Sequence, residues 1–225
     1  MNVSFMARAQ NQESLWLAYL HYQNINDRTQ IFGDAGYRTI FEENTSTRIH
    51  VRPGIRYRKS DKWEFRAGIG FFYEFRPAIT NRFEIRPYQG VRYNIDPSNH
   101  LRMNVYARAE QRISFDDLVE DNEVRFDLRF RLRWSGRYDF LNPLADSFWF
   151  IPYGFEVFIP LNNEITEFIS EKSRLRVGVG YKANDNWLFT FNLNLELSGK
   201  RLGLNANVNN VAFEFRTRYT VPWSD

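Results

Sequence analysis

Arginine is the residue type in this chain with the spacing to do chemistry. Of 30 basic residues, 25 are Arg, and many fall on alternate positions: Arg48, Arg52, Arg56; Arg66; Arg86, Arg92; Arg108 with Glu110, Arg112; and Arg125, Arg129, Arg131, Arg133. A guanidinium is a flat fork of donors that never loses its charge at physiological pH, so such rows either grip carboxylates bidentately or hold anionic solutes. Other chemistry has less to work with. There is no Cys, which removes disulfides, thiolate metal sites and thiol nucleophiles. A Ser-His hydrolase needs a third orienting group and hydrogen-bond reach. His50 falls among the arginines with no Ser beside it on its strand, while Ser98 and His100 share a turn. Asp116, Asp117, Glu120, Asp121 and Glu123 cluster without the spacing or glycine of a calcium loop, and read as solvated acidic residues rather than a metal site.

What positions the arginines is a period of two. From Thr47 to Tyr57 the odd residues are Thr47, Ile49, Val51, Pro53, Ile55 and Tyr57, and the even ones carry the charge. Trp63–Phe75, Phe83–Ile95, Leu101–Ile113 and Val124–Trp134 repeat the pattern, and in the five windows with their flanking residues Arg58, Arg76, Arg82 and Glu123 the charged parity carries 16 Arg and 6 acidic residues while the apolar parity carries neither. Successive side chains alternate faces only in a β-strand. Weaker alternation runs through 149–159, 175–181, 187–197 and 211–221, and 15–22, 31–40 and 202–208 complete about 12 strands, with a range of 10 to 12. The longest run free of Asp, Glu, Lys and Arg is 13 residues, Ser14 to Asn26, followed by Leu202 to Phe213 with 12; a membrane-crossing helix needs roughly 18 or more. Mean hydropathy is −0.54.

With 21 Phe in 225 residues and aromatics at 17%, a water-soluble sandwich would have to bury rows such as Trp63, Phe65, Ile69, Phe71, Tyr73 and Phe75 in one small interior. A transmembrane barrel turns them outward to lipid and the arginines inward. The expectation is therefore an all-β protein: a single antiparallel up-and-down barrel over residues 13–225, in the outer membrane of a Gram-negative bacterium. Residues 1–12, with Ala7-Arg8-Ala9 in the small-x-small form of a leader cleavage site, read either as the remnant of a signal-peptide region or as an ordinary flexible N-terminal segment. Tyr57 to Trp63 and Tyr181 to Trp187 each bracket a short polar turn, and Tyr93 precedes another. Tyr57, Trp63, Tyr93, Tyr181 and Trp187 are thus expected to form an interfacial aromatic belt. One rule does not close: an even barrel returns both termini to one side, whereas these turns leave the termini on opposite sides unless a strand within Arg201–Val221 is miscounted.

Arg52-Pro53-Gly54-Ile55-Arg56-Tyr57, Arg108-Ala109-Glu110-Gln111-Arg112, the Arg125–Arg133 run, Pro152-Tyr153 before Glu156-Val157-Phe158, and Arg174–Tyr181 resemble the family known as domain of unknown function 2490, uncharacterised outer-membrane β-barrels. The resemblance covers about two thirds of the chain. It implies the fold and an outer-membrane location, and carries no activity. A departure is the end of the chain, where Ser224 and Asp225 follow Trp223 instead of a terminal aromatic.

Two functions follow from the charged parity. An interior lined by Arg48, Arg52, Arg56, Arg66, Arg86, Arg92, Arg108, Glu110, Arg112, Arg125, Arg129, Arg131 and Arg133 favours anions, and implies a passive pore for small anionic solutes. The alternative is that Arg and carboxylate cross-link and close the barrel, making it a structural or accessory subunit beside other outer-membrane proteins. Inward Gly68, Gly70, Gly178 and Gly180 suggest room inside. Nucleic acid is not expected, because stacking aromatics and phosphate-binding arginines lie on opposite faces. No enzyme activity, cofactor or metal is expected.

Overall fold

The computed structural model describes residues 12–41, 46–77, 80–116, 124–140, 146–161, 173–198 and 207–222. They form eleven strands: β1 (Gln12–Asn24), β2 (Thr29–Ile40), β3 (Thr47–Arg58), β4 (Trp63–Phe75), β5 (Arg82–Ile95), β6 (Leu101–Asp116), β7 (Val124–Asp139), β8 (Phe148–Pro160), β9 (Ser173–Lys182), β10 (Trp187–Ser198) and β11 (Asn207–Val221). Each pairs with its sequence neighbour, and β1 pairs with β11, so the sheet closes into a barrel. The alternating pattern places every strand it was read from, and eleven lies within the range of ten to twelve. Val211–Val221 and Asn207–Val208 are one strand, and the remainder of the 202–208 segment, like the leader-like residues 1–11 and the acidic residues 117–123, lies outside the described residues.

Eleven is odd, and this resolves the rule that would not close. Ten hairpin connections run antiparallel, but the seam is parallel, from Gln12 facing Asn210 to Gln23 facing Val221. The described ends of β1 and β11 therefore lie at opposite ends of the barrel. Short turns at Ile25–Arg28, Lys59–Lys62 and Ala183–Asn186 gather at one end, together with the end of β11. Asn26 caps the first turn, its Oδ1 accepting from the backbone N–H of Thr29 at 2.7 Å, and Asn184 does the same for Trp187 at 2.9 Å. Proline interrupts the ladders locally, as its missing N–H requires. Pairing of β3 with β4 skips from Val51–Phe71 to Gly54–Gly68 around Pro53, and that of β5 with β6 from Ile85–Ile113 to Tyr88–Glu110 around Pro87.

The two faces are inverted relative to a water-soluble barrel. Outward positions carry exposed Phe65, Phe71, Phe126, Phe130, Leu132, Val179 and Phe191, while Glu64, Glu84, Glu110, Arg112, Asp127, Glu156, Arg174 and Glu196 are buried. The apolar cluster inside is small, Phe148, Phe150 and Leu188. The inward glycines do not leave empty space. A Cβ on Gly68 would stand 2.5 Å from the Tyr88 hydroxyl, on Gly70 2.7 Å from the Phe72 ring, on Gly178 2.6 Å from the Asn192 amide oxygen and on Gly180 2.2 Å from the Phe150 ring. They are seats for neighbouring side chains, which correlation along a single strand does not reveal.

Candidate functional site: the charged interior

The inward arginines divide by whether a carboxylate holds them. On β6 and β7, Glu110 faces Arg129 and Arg108 faces Arg131. Glu110, with none of its surface exposed, accepts from Arg129 at 2.6 Å, from Arg131 at 2.8 Å and from Arg108. Arg131 also donates to Glu156 on β8 at 2.7 Å, and Arg174 on β9 lies 3.4 Å from Glu156 while donating to Glu196 on β10 at 2.9 Å. Glu196 accepts from Asn210 on β11 at 2.8 Å, which donates to Ser14 Oγ on β1 at 3.0 Å. A single network thus runs over seven consecutive strands and across the parallel seam. Buried charges of this kind stay stable only where each is paired and its remaining hydrogen-bonding capacity met.

The other strands add separate pairs. Asp34 on β2 receives Arg52 at 2.6 Å and contacts His50 Nε2 at 2.9 Å; Glu74 receives Arg48 at 3.2 Å. Glu84 receives Arg86 and Arg112, each at 2.6 Å, and Arg112 approaches Asp127 at 3.5 Å. Asp116, the one described member of the acidic cluster, is occupied by Arg76, Arg82 and Arg125 at 2.8 to 3.0 Å. Aromatic faces take further guanidiniums: Arg86 lies 3.9 Å from the centre of Phe72, Arg38 4.0 Å from Trp16 and Arg108 4.2 Å from Tyr88.

Side chains converge midway. A cavity of only about 110 Å³ is lined by residues from ten of the eleven strands, among them Trp16, His50, Phe72, Arg131, Phe158 and Arg174. Towards the short turns the interior widens into a vestibule of about 800 Å³, which reaches them at Arg58, Asp61 and Asp96. Its wall holds thirteen arginines against five carboxylates; Glu110 and Asp139, behind the wall, take Arg108, Arg102 and Arg137, and an excess of positive charge remains. Here Glu64 serves Arg66 at 2.5 Å, Arg56 at 3.4 Å and Arg92 at 3.8 Å. Among the described residues Arg133, opposite Glu156 in the register of β7 with β8, has no carboxylate at ion-pair distance, and it lies 5.2 Å from the centre of Tyr106.

All thirteen residues read from the sequence as interior candidates project into the barrel, but not as one ring. Arg48, Arg86, Arg112, Arg125, Arg129 and Arg131 with Glu110 belong to the cross-linked part; Arg56, Arg66 and Arg92 line the vestibule; Arg52, Arg108 and Arg133 lie where the two meet. The sequence reading omitted Trp16, Asp34, Arg38, Arg137, Glu156, Arg174, Arg176, Glu196, Glu214, Arg216 and Arg218. The parity signal was there for several: Arg174 and Arg176 alternate with Leu175 and Val177, and Glu214, Arg216 and Arg218 with Phe213 and Phe215.

The five belt aromatics lie on the outer face at the short-turn end, arranged in cross-strand pairs. Trp63 stands opposite Tyr93 with rings 4.8 Å apart, Tyr181 opposite Trp149 at 4.8 Å and Trp187 opposite Tyr219 at 4.6 Å; Tyr57 faces Phe65 and Thr29. Trp149 and Tyr219 share this position on the outer face, and the hairpin motif does not identify them.

Fold and interior together define a closed β-barrel with an apolar exterior and a cross-linked, arginine-dominated core. The chain belongs to the family described as Protein of unknown function (DUF2490), whose model matches residues 13–194, from β1 into β10. No curated protein matches it.

Proposed function

We propose that this protein is an outer-membrane barrel of a Gram-negative bacterium that admits small anionic solutes through its short-turn end and forms a narrow, anion-preferring passage. The membrane part rests on the inverted faces and on strands of 10 to 16 residues, where 9 to 11 tilted residues cross a bilayer. Outer-membrane lipids are then the partner of the exposed apolar face. The anion part rests on one observation, the vestibule with thirteen arginines against five carboxylates. Its excess positive charge raises the local concentration of anions and repels cations. No catalytic role is proposed, since His50 is held against Asp34 and His100 shares a rim with the short turns.

A second reading has its own support. The convergence of ten strands on about 110 Å³ would suit a closed scaffold or accessory subunit docking other outer-membrane proteins. Reversal potentials in a planar bilayer under a potassium chloride gradient separate the two. The passage gives small currents with a reversal potential shifted toward chloride. Cation selectivity would defeat it, and silence at every voltage would favour the scaffold.

A further inference from the structure

We infer that the vestibule holds a built site for a compact multivalent oxyanion, a phosphorylated or polycarboxylate solute, formed by Arg66, Arg92 and Arg133 around the ring of Tyr106 with Arg56 beside Tyr22. This deepens the anion reading above and rests on it.

The site is defined by a shortage of acceptors. Three of its guanidiniums share Glu64, at 2.5, 3.4 and 3.8 Å, and the fourth, Arg133, has no carboxylate at ion-pair distance among the described residues. What Arg133 has instead is a ring that two others also use: the guanidinium carbons of Arg133, Arg66 and Arg92 lie 5.2, 5.6 and 5.8 Å from the centre of Tyr106. The Nε–H groups of Arg92 and Arg133 are buried and find no acceptor. A π-face attracts a cation but takes none of its in-plane hydrogen bonds. In the cross-linked part the sharing runs both ways, Arg131 meeting Glu110 and Glu156 and Arg174 meeting Glu156 and Glu196, whereas Arg56, Arg66 and Arg92 all depend on Glu64. Four guanidiniums with Glu64 and a share of Glu156, which faces Arg133 but is held by Arg131 and Arg174, leave two to three positive charges uncompensated beside an open volume of about 800 Å³. A monovalent ion neutralises one of them. An oxyanion with two or more charges neutralises most of the excess and gives several forks a bidentate partner.

Isothermal titration calorimetry and thermal denaturation of the full chain in detergent micelles, at constant chloride, test this with pyrophosphate and citrate as probes. Pyrophosphate, citrate or both should bind one per barrel and raise the melting temperature; binding of one alone identifies the phosphorylated or the carboxylate class. Arg133→Gln should lower the affinity at least tenfold. It should also raise the melting temperature of the empty barrel, because it deletes a buried cation that lacks a carboxylate. A residue serving only to hold the wall would lower it. Lys59→Gln, in an exposed turn, should bind as the parent does. Failure of both probes to bind, or undiminished affinity in Arg133→Gln, would overturn the site. Neither measurement needs current: a barrel that binds but does not conduct keeps the site and loses the passage, and one that conducts anions but binds neither probe does the reverse.

Discussion

Arg174 on β9 places its guanidinium 4.8 Å from the ring centre of Trp16 on β1, reaching past β10 and β11 on the inside of the wall. Contacts between non-adjacent strands are what narrow a barrel, since neighbours alone merely line it. Phe158 stands under the same arginine at 5.3 Å and under Arg131 at 4.9 Å. Trp16→Ala and Phe158→Ala should therefore enlarge the constriction, each raising single-channel conductance above the parent's. Unchanged conductance in both would place the narrowest point elsewhere.

Glu110→Gln removes the charge that three buried arginines share. Breaking a buried network by deleting one partner costs about 3 to 5 kcal/mol, because the opposite charges stay behind unpaired. Urea titration of the folded protein in vesicles should show a loss of that size. Gln at Glu13, exposed at the start of β1, should leave stability within about 0.5 kcal/mol.

Phe71 and Leu128 are outward on β4 and β7, and Phe71 is 39% exposed. If lipid covers them, Phe71→Arg or Leu128→Arg costs roughly 2 to 4 kcal/mol near the midplane. Cysteines at these two positions should react with a lipid-soluble probe, whereas cysteines at Gly70 or Asp127 should not. Equal labelling of the two parities would refute the membrane reading.

Tryptophan depth separates inside from outside. Trp63, Trp149 and Trp187 pair with Tyr93, Tyr181 and Tyr219 on the outer face at the short-turn end. Brominated lipids should quench all three in single-tryptophan variants with one common depth profile, near the headgroups. Trp16, 2% exposed inside the barrel, should escape quenching.

The sequence made the faces legible because no Asp, Glu, Lys or Arg falls on the apolar parity of the five windows between Thr47 and Trp134, and a period of two admits one local geometry. It did not reveal how the arginines are shared out. Arg129 and Arg133 look alike in the sequence, four residues apart on one strand face, yet one meets Glu110 and the other a tyrosine ring. That difference depends on which residue of β6 stands opposite and how far the fork reaches, and so on register and rotamer. Gly68 and Gly70 read as open space for the same reason: the rings that fill them, Tyr88 and Phe72, come from the register of β4 with β5 or from two residues along. From β8 onward single charges such as Glu156 and Glu196 sit among apolar and amide residues, and the rows thin out. Yet those two carboxylates carry the network across to the seam.

The odd strand number has a consequence for how the chain can be rewired. In an even barrel the first and last strands run antiparallel, and a turn of a few residues joins the termini into a circular permutant. Here β1 and β11 run side by side in the same direction over twelve residue pairs, Gln12–Asn210 through Gln23–Val221. At about 3.3 Å per residue a linker from the end of β11 to the start of β1 would have to retrace roughly 40 Å along the wall, outside it or down its interior. Genetic fusion of the ends therefore requires a linker of more than a dozen residues. If that linker takes the interior route, it would thread the vestibule and compete with whatever anion resides there.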